Sequence, residues 1–421
     1  MIQALIARVR RSVFAQGILS IAGGTVIGQG IGVLVSPLLT RLYTPEAMGM
    51  WGLFISFVGV ATAGGALRYE VAVVAAKEDS EALSLAGHTF LLAVLTSLVG
   101  GAVFEAFRRH SVLGYEVFPW WSGGLIVLAI IVNVWGQVLR FWFIREKKFQ
   151  SVGYFVAGRG ALRAAGQIVL YPWNGLGLIG GEIIGRLASL GVLLRDFPVR
   201  AAWWAVLSHR KRSALRKYKK YPLVFLPSAF VDTMALMAPI PVFAASYGVE
   251  VGGMLSLAQR VVSVPLIFLG GAVADVFFGE IADVARRDAR RAMPLFLKST
   301  LRLGGVAFII GIGLWLFAPW GMTMVFGAAW EVSGKMLAAM APWFVGMLIV
   351  SPISRLVFLS RYPWVKLIYD FSALFVVVLP LWFHLPEPLE ALRLVSWLQA
   401  GLYGAYWLIL LAVVYQGVEA K

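Results

Sequence analysis

The stretch PLLTRLYTPEAMGMWGL, residues 37–53, falls without a gap on PVFAASYGVEVGGMLSL, residues 241–257, at an offset of 204 residues. Six of the 17 aligned positions are identical: Pro37 with Pro241, Tyr43 with Tyr247, Glu46 with Glu250, Gly49 with Gly253, Met50 with Met254 and Leu53 with Leu257. Apolar chains align easily, but hydrophobicity alone does not put proline, tyrosine and glutamate in register. The match points to a duplicated chain, and what surrounds it says what was duplicated.

The chain has 421 residues, of which 60% are hydrophobic and 14% charged, against about 25% charged in a soluble domain. Mean hydropathy is +0.82. Apolar runs of roughly 20 residues recur along the whole length, the span of a membrane-crossing helix. The fold class is therefore all-α and polytopic. Proline, glycine and charge clusters divide the chain into twelve expected helices. They cover 14–40, 47–74, 84–106, 118–143, 151–171, 175–196, 222–246, 250–280, 294–318, 335–360, 362–384 and 391–415. The opening MIQALIARVRRSVFAQG has the charge of a signal peptide, but its apolar run is too long for one, so it reads as a retained first span.

Net charge is +16, and its placement gives the topology. Alternating the connections puts Arg8, Arg10, Arg11, Lys77, Arg145, Lys147, Lys148, nine cations between Arg195 and Lys220, Arg286, Arg287, Arg290, Arg291, Arg361, Lys366 and Lys421 on one side. Only Arg41, Arg108, Arg109 and Lys335 fall on the other, a bias of 23 to 4. The positive-inside rule makes the basic side cytoplasmic, with both termini on it. The charge is then topological and nucleic acid is not an expected partner. The chain has no cysteine, which excludes disulfides and thiol chemistry, and its four histidines, at 88, 110, 209 and 384, have no metal-ligand spacing.

In this topology helices 1 and 7 both run outward, so the repeat is parallel. Residues 1–196 form an N-lobe of six helices, 197–221 a basic cytoplasmic connection and 222–421 a C-lobe of six. Duplicated halves of this kind build transporters with a substrate site between them. The connection carries SHRKRSALRKYKKYP. Trp203, Val206, Leu207 and Ala214 share a helical face that Arg210 interrupts, which fits a surface helix on anionic lipid or a plain basic linker.

Charges inside the membrane are costly and default to function. Arg140, Glu280 and Arg355 lie near inner helix ends, where they read as interfacial anchors. Deeper, Arg159, Arg163 and Gln167 form one stripe on helix 5, and Glu182 and Arg186 stand at i, i+4 on helix 6. Asp232 lies on helix 7, Arg260 on helix 8 and Arg302 on helix 9. Helix 1 offers Thr25, Gln29, Gly32 and Ser36 on one face. The deep arginines outnumber Glu182 and Asp232, so the surplus fits an anionic substrate, and the planar guanidinium suits phosphate. Glu182 with Arg186 as a self-contained ion pair is the alternative. In LRYEVAVVAAKEDSEALSL, residues 67–85, Arg68 and Glu70 arrive at the cytoplasmic edge of helix 2. They fit either a snorkelling pair or a pair at the cavity mouth that binds substrate or gates it. Glu70, Glu182, Asp232 and Asp275 are the candidates for gating or ion coupling.

Several stretches resemble one family. SPLLTRLYTPEAMGMWGLF and LRYEVAVVAAKEDSEALSL are similar to the opening of bacterial O-antigen and exopolysaccharide repeat-unit flippases. LRKYKKYPLVFLPSAFVDTMA with GGMLSLAQRVVSVPLIFLGGAVADVFFGEIAD resembles their second half, and FGAAWEVSGKMLAAMAPWFVGMLIVSPISRLVF their tenth helix. The resemblance covers about residues 17–365. It implies the multidrug/oligosaccharidyl-lipid/polysaccharide exporter fold: two six-helix lobes opening alternately to each side of the bacterial inner membrane. The implied cargo is an undecaprenyl-pyrophosphate-linked oligosaccharide, and the implied act is flipping it outward, with no covalent chemistry. No cofactor is implied beyond a coupling proton or sodium ion, or the membrane potential. Membrane lipids, a polysaccharide polymerase and the chain-length machinery are the implied partners. Asp232 departs from the family, where an asparagine is expected in the Pro-Ser-Ala-x-x-Asn stretch.

Three rivals are weaker. Cation-coupled multidrug exporters share the fold, but residues 14–40 hold no carboxylate and the expected cavity is cationic. Lipid II flippases usually carry two further helices. A polymerase or ligase needs a large extracytoplasmic loop with an acid pair, and the outer connections here are short.

Overall fold

The computed structural model describes residues 13–207, 213–287, 292–359, 364–383 and 385–415. The helices are α1 (Val13–Leu42), α2 (Pro45–Gly65), α3 (Tyr69–Ala75), α4 (Asp79–Arg109), α5 (Ser122–Arg145), α6 (Phe149–Val169), α7 (Asn174–Leu194), α8 (Val199–Leu207) and α9 (Ser213–Lys217). They continue as α10 (Leu226–Met237), α11 (Pro239–Tyr247), α12 (Val249–Arg287), α13 (Ala292–Phe326), α14 (Glu331–Ala339), α15 (Ala341–Val350), α16 (Val365–Val378), α17 (Pro380–Phe383) and α18 (Pro388–Tyr415). Among the described residues, eight helices are long and apolar enough to cross a membrane, or up to ten if each of two bent pairs is one span. The cations expected at 8, 10, 11, 361 and 421 lie outside the described residues, as do the core of the basic connection at 208–212 and the side chains of Arg286, Arg287, Arg290 and Arg291.

Three expected spans are broken. The second ends at Gly65 and restarts at Tyr69, because Leu67 and Arg68 adopt left-handed backbone with φ of 48° and 63°. Such a conformation costs an L-residue about 1–2 kcal/mol, so the surrounding packing imposes it. The seventh bends by 43° between α10 and α11, and the tenth by 50° between α14 and α15. Both bends fall at the tripeptide Met-Ala-Pro, Met237–Pro239 and Met340–Pro342. Proline has no N–H for the preceding turn and opens a new helix comfortably at its first positions.

The helices divide into two units, Met1–Thr233 and Met234–Lys421. In the first, α1 packs on α6, α6 on α7 and α4 on α5. Beside α2, Phe57 meets Phe104 at 5.2 Å and Tyr115 at 5.6 Å, edge to face, a geometry that aromatic quadrupoles favour. In the second, α13 packs on α14 and α15, and α15 on α18, with Phe296, Ile353, Leu356 and Leu410 fully buried. Large apolar side chains on these helices face outward, among them Leu95, Val99, Leu301, Ile309 and Trp315. Water would reject such a surface and hydrocarbon accepts it.

The duplicated segment has the same function in both units. At the end of α1, the buried Tyr43 hydroxyl donates to the Gln167 carbonyl at 2.6 Å. At the end of α11, the Tyr247 hydroxyl donates to the Leu385 carbonyl at 3.0 Å. Gln167 is in the fifth expected span and Leu385 just beyond the eleventh, which are counterparts in a six-helix repeat. Each tyrosine thus ties the first span of its half to the fifth. Tyr43→Phe is expected to lower stability by about 1 kcal/mol, because it leaves a buried carbonyl without its donor. Thermal unfolding in detergent measures this, and Tyr247→Phe, at a half-buried site, should cost less.

Candidate functional site

The site is built on the hairpin of α6 and α7. The turn Tyr171–Trp173 reverses the chain, so the two helices run antiparallel, with Gly166 facing Gly181 and Arg163 facing Gly185. The contact is close at both: a Cβ at Gly185 would lie 2.7 Å from the Arg163 amide nitrogen, and one at Gly181 would lie 2.4 Å from the Gln167 amide nitrogen. On the other side of α6, a Cβ at Gly160 would lie 2.3 Å from the Gly28 carbonyl oxygen of α1. Glycine at these positions lets the backbones touch. The side chains between them are forced into one small volume.

That volume holds one carboxylate and three guanidinium groups. Glu182 is 1% exposed. Its Oε1 accepts from Arg186 Nε at 2.9 Å, one turn away. Arg159 Nη2 reaches the same oxygen at 3.6 Å, and Arg163 Nη1 reaches Oε2 at 3.8 Å. The two stripes read from the sequence, on α6 and α7, therefore form one cluster, and Glu182 with Arg186 is not a self-contained pair. One acid cannot saturate three guanidinium groups. Arg163 Nε and Arg186 Nη1 are buried without a hydrogen-bond partner among the described residues.

The arginines face a cavity of about 330 Å³ inside the first unit. Thr25, Gly28 and Gln29 of α1, Arg159 and Arg163 of α6, and Arg186 and Ser189 of α7 line it. Asn133, Gln137 and Arg140 of α5 complete the wall. These three were missed: Arg140 reads from the sequence as an interfacial anchor. The i, i+4, i+7 spacing of Asn133, Gln137 and Arg140 on an apolar helix was the available signal. Asn133 is fixed by donating Nδ2–H to Thr62 Oγ1 at 3.0 Å. Four arginines face this space and the one acid stands behind them, so the wall is built to receive an anion with more than one oxygen.

Other candidates stand elsewhere. Gln167 does not reach the cavity. It is fully buried between α6 and α7, where its Nε2 donates to the Leu178 carbonyl at 3.2 Å. The spacing that put it on the arginine stripe carries it two turns along to the close packing at Gly181. Arg68 and Glu70 are also absent from the cavity wall. Their pair, 3.6 Å apart with Glu70 2% exposed, sits at the break between α2 and α3. Next to it, the Tyr69 hydroxyl donates to the Leu215 carbonyl at 3.2 Å, and Arg145 bonds Asp79 at 2.8 Å. The pair stands at the left-handed break between the two helices. Arg68→Asn keeps a residue that tolerates left-handed backbone and removes the charge. With Glu70 left buried without its cation, it is expected to lower the midpoint of thermal unfolding, measured in detergent.

Asp232 is half-buried on α10 in the first unit, and Arg260 half-buried on α12 in the second. Arg302 is exposed on α13. The side chain of Asp275 lies outside the described residues. Thr25 and Gln29 line this cavity within the first unit, and the Thr25 hydroxyl donates to the Ile21 carbonyl at 2.9 Å.

A family described as polysaccharide biosynthesis protein matches residues 38–335. The chain belongs to this family. The chain is also 24% identical over 326 residues to the succinoglycan biosynthesis transport protein ExoT of Rhizobium meliloti. That match covers 74% of this chain and 62% of the relative, so the chain spans somewhat under two thirds of the relative it matches. The family member's fold also has solved counterparts. The inward closed lipid II flippase MurJ has a TM-score of 0.72 at 12% identity, over 92% of this chain and 86% of that one. A transporter of the MOP superfamily from Pyrococcus furiosus, with a binding pocket of reversed polarity, has a TM-score of 0.57 at 13% identity, covering 97% and 96%. An inward-facing multidrug resistance MATE family transporter of that superfamily has a TM-score of 0.55 at 15% identity, covering 95% and 97%. The chain is a multi-pass membrane protein with this transporter fold.

Proposed function

We propose that this family member flips an undecaprenyl-pyrophosphate-linked oligosaccharide from the cytoplasmic to the outer leaflet of the bacterial inner membrane. The observation that carries the reading is the cluster of Arg159, Arg163 and Arg186 around one carboxylate, Glu182, beside a cavity. A pyrophosphate brought across hydrocarbon loses its hydration, and fixed guanidinium donors replace it. The step is transport, without a bond made or broken, and the matched relative is named as a transport protein.

The proposal includes twelve spans in two parallel six-helix lobes, 1–196 and 222–421, joined by the basic connection 197–221, with both termini cytoplasmic. Arg260 and Arg302 are further candidate contacts for the anionic cargo, and Asp232 and Asp275 are candidate groups for coupling to a proton or to sodium. Alternating access moves the glycan head while the lipid tail stays in the bilayer. A polymerase and chain-length machinery take the cargo on the outer side. Deleting the gene is expected to accumulate lipid-linked repeat units on the cytoplasmic side. A change in polymer length alone, with no accumulation, rejects the flippase.

A further inference from the structure

The connection after α7 is not absorbed by the transport path. Phe197 is buried edge to face on Phe90 of α4 at 5.6 Å and on Trp142 of α5 at 5.4 Å. From there α8 runs along the flank of α4. Ala202 and Ala205 are buried against it, and a Cβ at Gly87 would lie 2.7 Å from the Ala202 carbonyl oxygen. Gly87 stands about 12 Å along α4 from Asp79 at 1.5 Å per residue. So α8 lies beside the span, level with its first turns, rather than beyond its end. The sequence placed Trp203 on the apolar face of this helix. The packed face is Ala202, Ala205 and, as expected, Val206, whose Cγ2 would lie 2.6 Å from a Cβ at Gly87; Trp203 is not on it. Trp203 and Trp204 point away from the protein, 50% and 72% exposed.

Arg200 is exposed on this helix, Arg216 is exposed on α9, and Lys219 and Lys220 are exposed just after α9. That following segment is strapped to the same end of α4, where Lys217 bonds Glu81 and the Tyr218 hydroxyl donates to Glu81 at 3.1 Å. Adjacent exposed tryptophans at the depth where spans begin, with Arg200 on the same helix and further cations strapped to the same end of α4, match a leaflet interface: indole in the acyl boundary, cations among phosphates.

We propose that the outward face of α8 is a docking surface for anionic phospholipid, with Trp203 and Trp204 immersed and Arg200, Lys219 and Lys220 on headgroup phosphates. The occupant is the cytoplasmic leaflet itself, which rests on the topology proposed above. Charge complementarity selects it over neutral lipid, and the depth on α4 selects it over a soluble protein.

The chain has no cysteine, so one introduced thiol is a unique label. Trp204→Cys carrying a nitroxide is reconstituted in vesicles of phosphatidylcholine alone and with 30 mol% phosphatidylglycerol, in roughly the proportions of an anionic leaflet. The expected result is a label shielded from a water-soluble relaxation agent, at least threefold more in the anionic vesicles. Arg200→Glu/Lys219→Glu/Lys220→Glu is expected to erase that difference. Equal shielding in both compositions overturns the anionic preference, and a label open to water in both overturns docking and leaves the face to a protein. Leu95→Cys, on the lipid-facing side of α4, reports the fold and should be immersed in every sample. Lys219→Cys tests the topology separately. Its reaction with an impermeant maleimide in intact cells would reject the cytoplasmic side without touching the depth measurement.

Discussion

Glu182→Gln is expected to leave little folded protein in the membrane. The glutamate is the one carboxylate among Arg159, Arg163 and Arg186, and it is 1% exposed. Removing one partner of a buried ionic cluster costs about 3–5 kcal/mol, since the remaining charges are left uncompensated in a low dielectric. That is a large fraction of the stability of an ordinary domain. Glutamine keeps the shape and a carbonyl, so the loss isolates the charge. Monodisperse yield in detergent and the midpoint of thermal unfolding are the readouts. A further prediction follows from mechanism rather than mass: Glu182→Gln combined with Arg186→Gln should recover part of the lost yield, because it removes one of the charges left behind. Wild-type yield for Glu182→Gln alone would show that the cluster is solvated and not a buried brace.

Arg163→Ala is expected to have the opposite signature: normal protein, little transport. Glu182 keeps Arg186 at 2.9 Å and Arg159 at 3.6 Å without it, so the carboxylate stays compensated. What disappears is a guanidinium with a buried, unsatisfied Nε beside the cavity. A charge-assisted hydrogen bond is worth about 1.5–3 kcal/mol, which is roughly a ten- to hundredfold loss at 1.36 kcal/mol per decade. Arg163→Lys should restore only part of it, since an ammonium cannot grip two oxygens in one plane. Export per protein molecule is the readout. Full activity of Arg163→Ala would remove the cationic wall from the mechanism.

The all-helical, membrane-crossing character and the arginine stripes were legible because they follow from hydropathy and helical period. Their meeting needed the coordinates. Folding the chain back at the turn Tyr171–Trp173 places Arg163 opposite 182–186, and the glycines at 160, 181 and 185 mark how closely the helices approach. The repeat located the tyrosine ties, although its value was topological and the hydrogen bonds needed coordinates. Three features were not legible. The break at Leu67 and Arg68 is imposed by tertiary packing on residues with no local preference for left-handed backbone. The Met-Ala-Pro bends were visible as prolines but were read inside continuous apolar runs, where hydropathy outweighs a single missing N–H. Arg140 was set aside on depth along its own helix, which says nothing about the direction it faces. The fate of Gln167 shows the reverse error: a shared stripe does not mean a shared cavity when the helix is gripped along only part of its length.

The central claim is that this chain moves a pyrophosphate-linked glycolipid through an arginine-lined path. The direct measurement reconstitutes the purified protein in vesicles that carry a fluorescent undecaprenyl-pyrophosphate-linked glycan, and adds an impermeant quencher outside. Wild-type protein is expected to expose the inner-leaflet pool to the quencher within minutes, and Arg163→Ala to leave it protected at equal protein content. Protection that is equal in wild-type, Arg163→Ala and protein-free vesicles would contradict the claim.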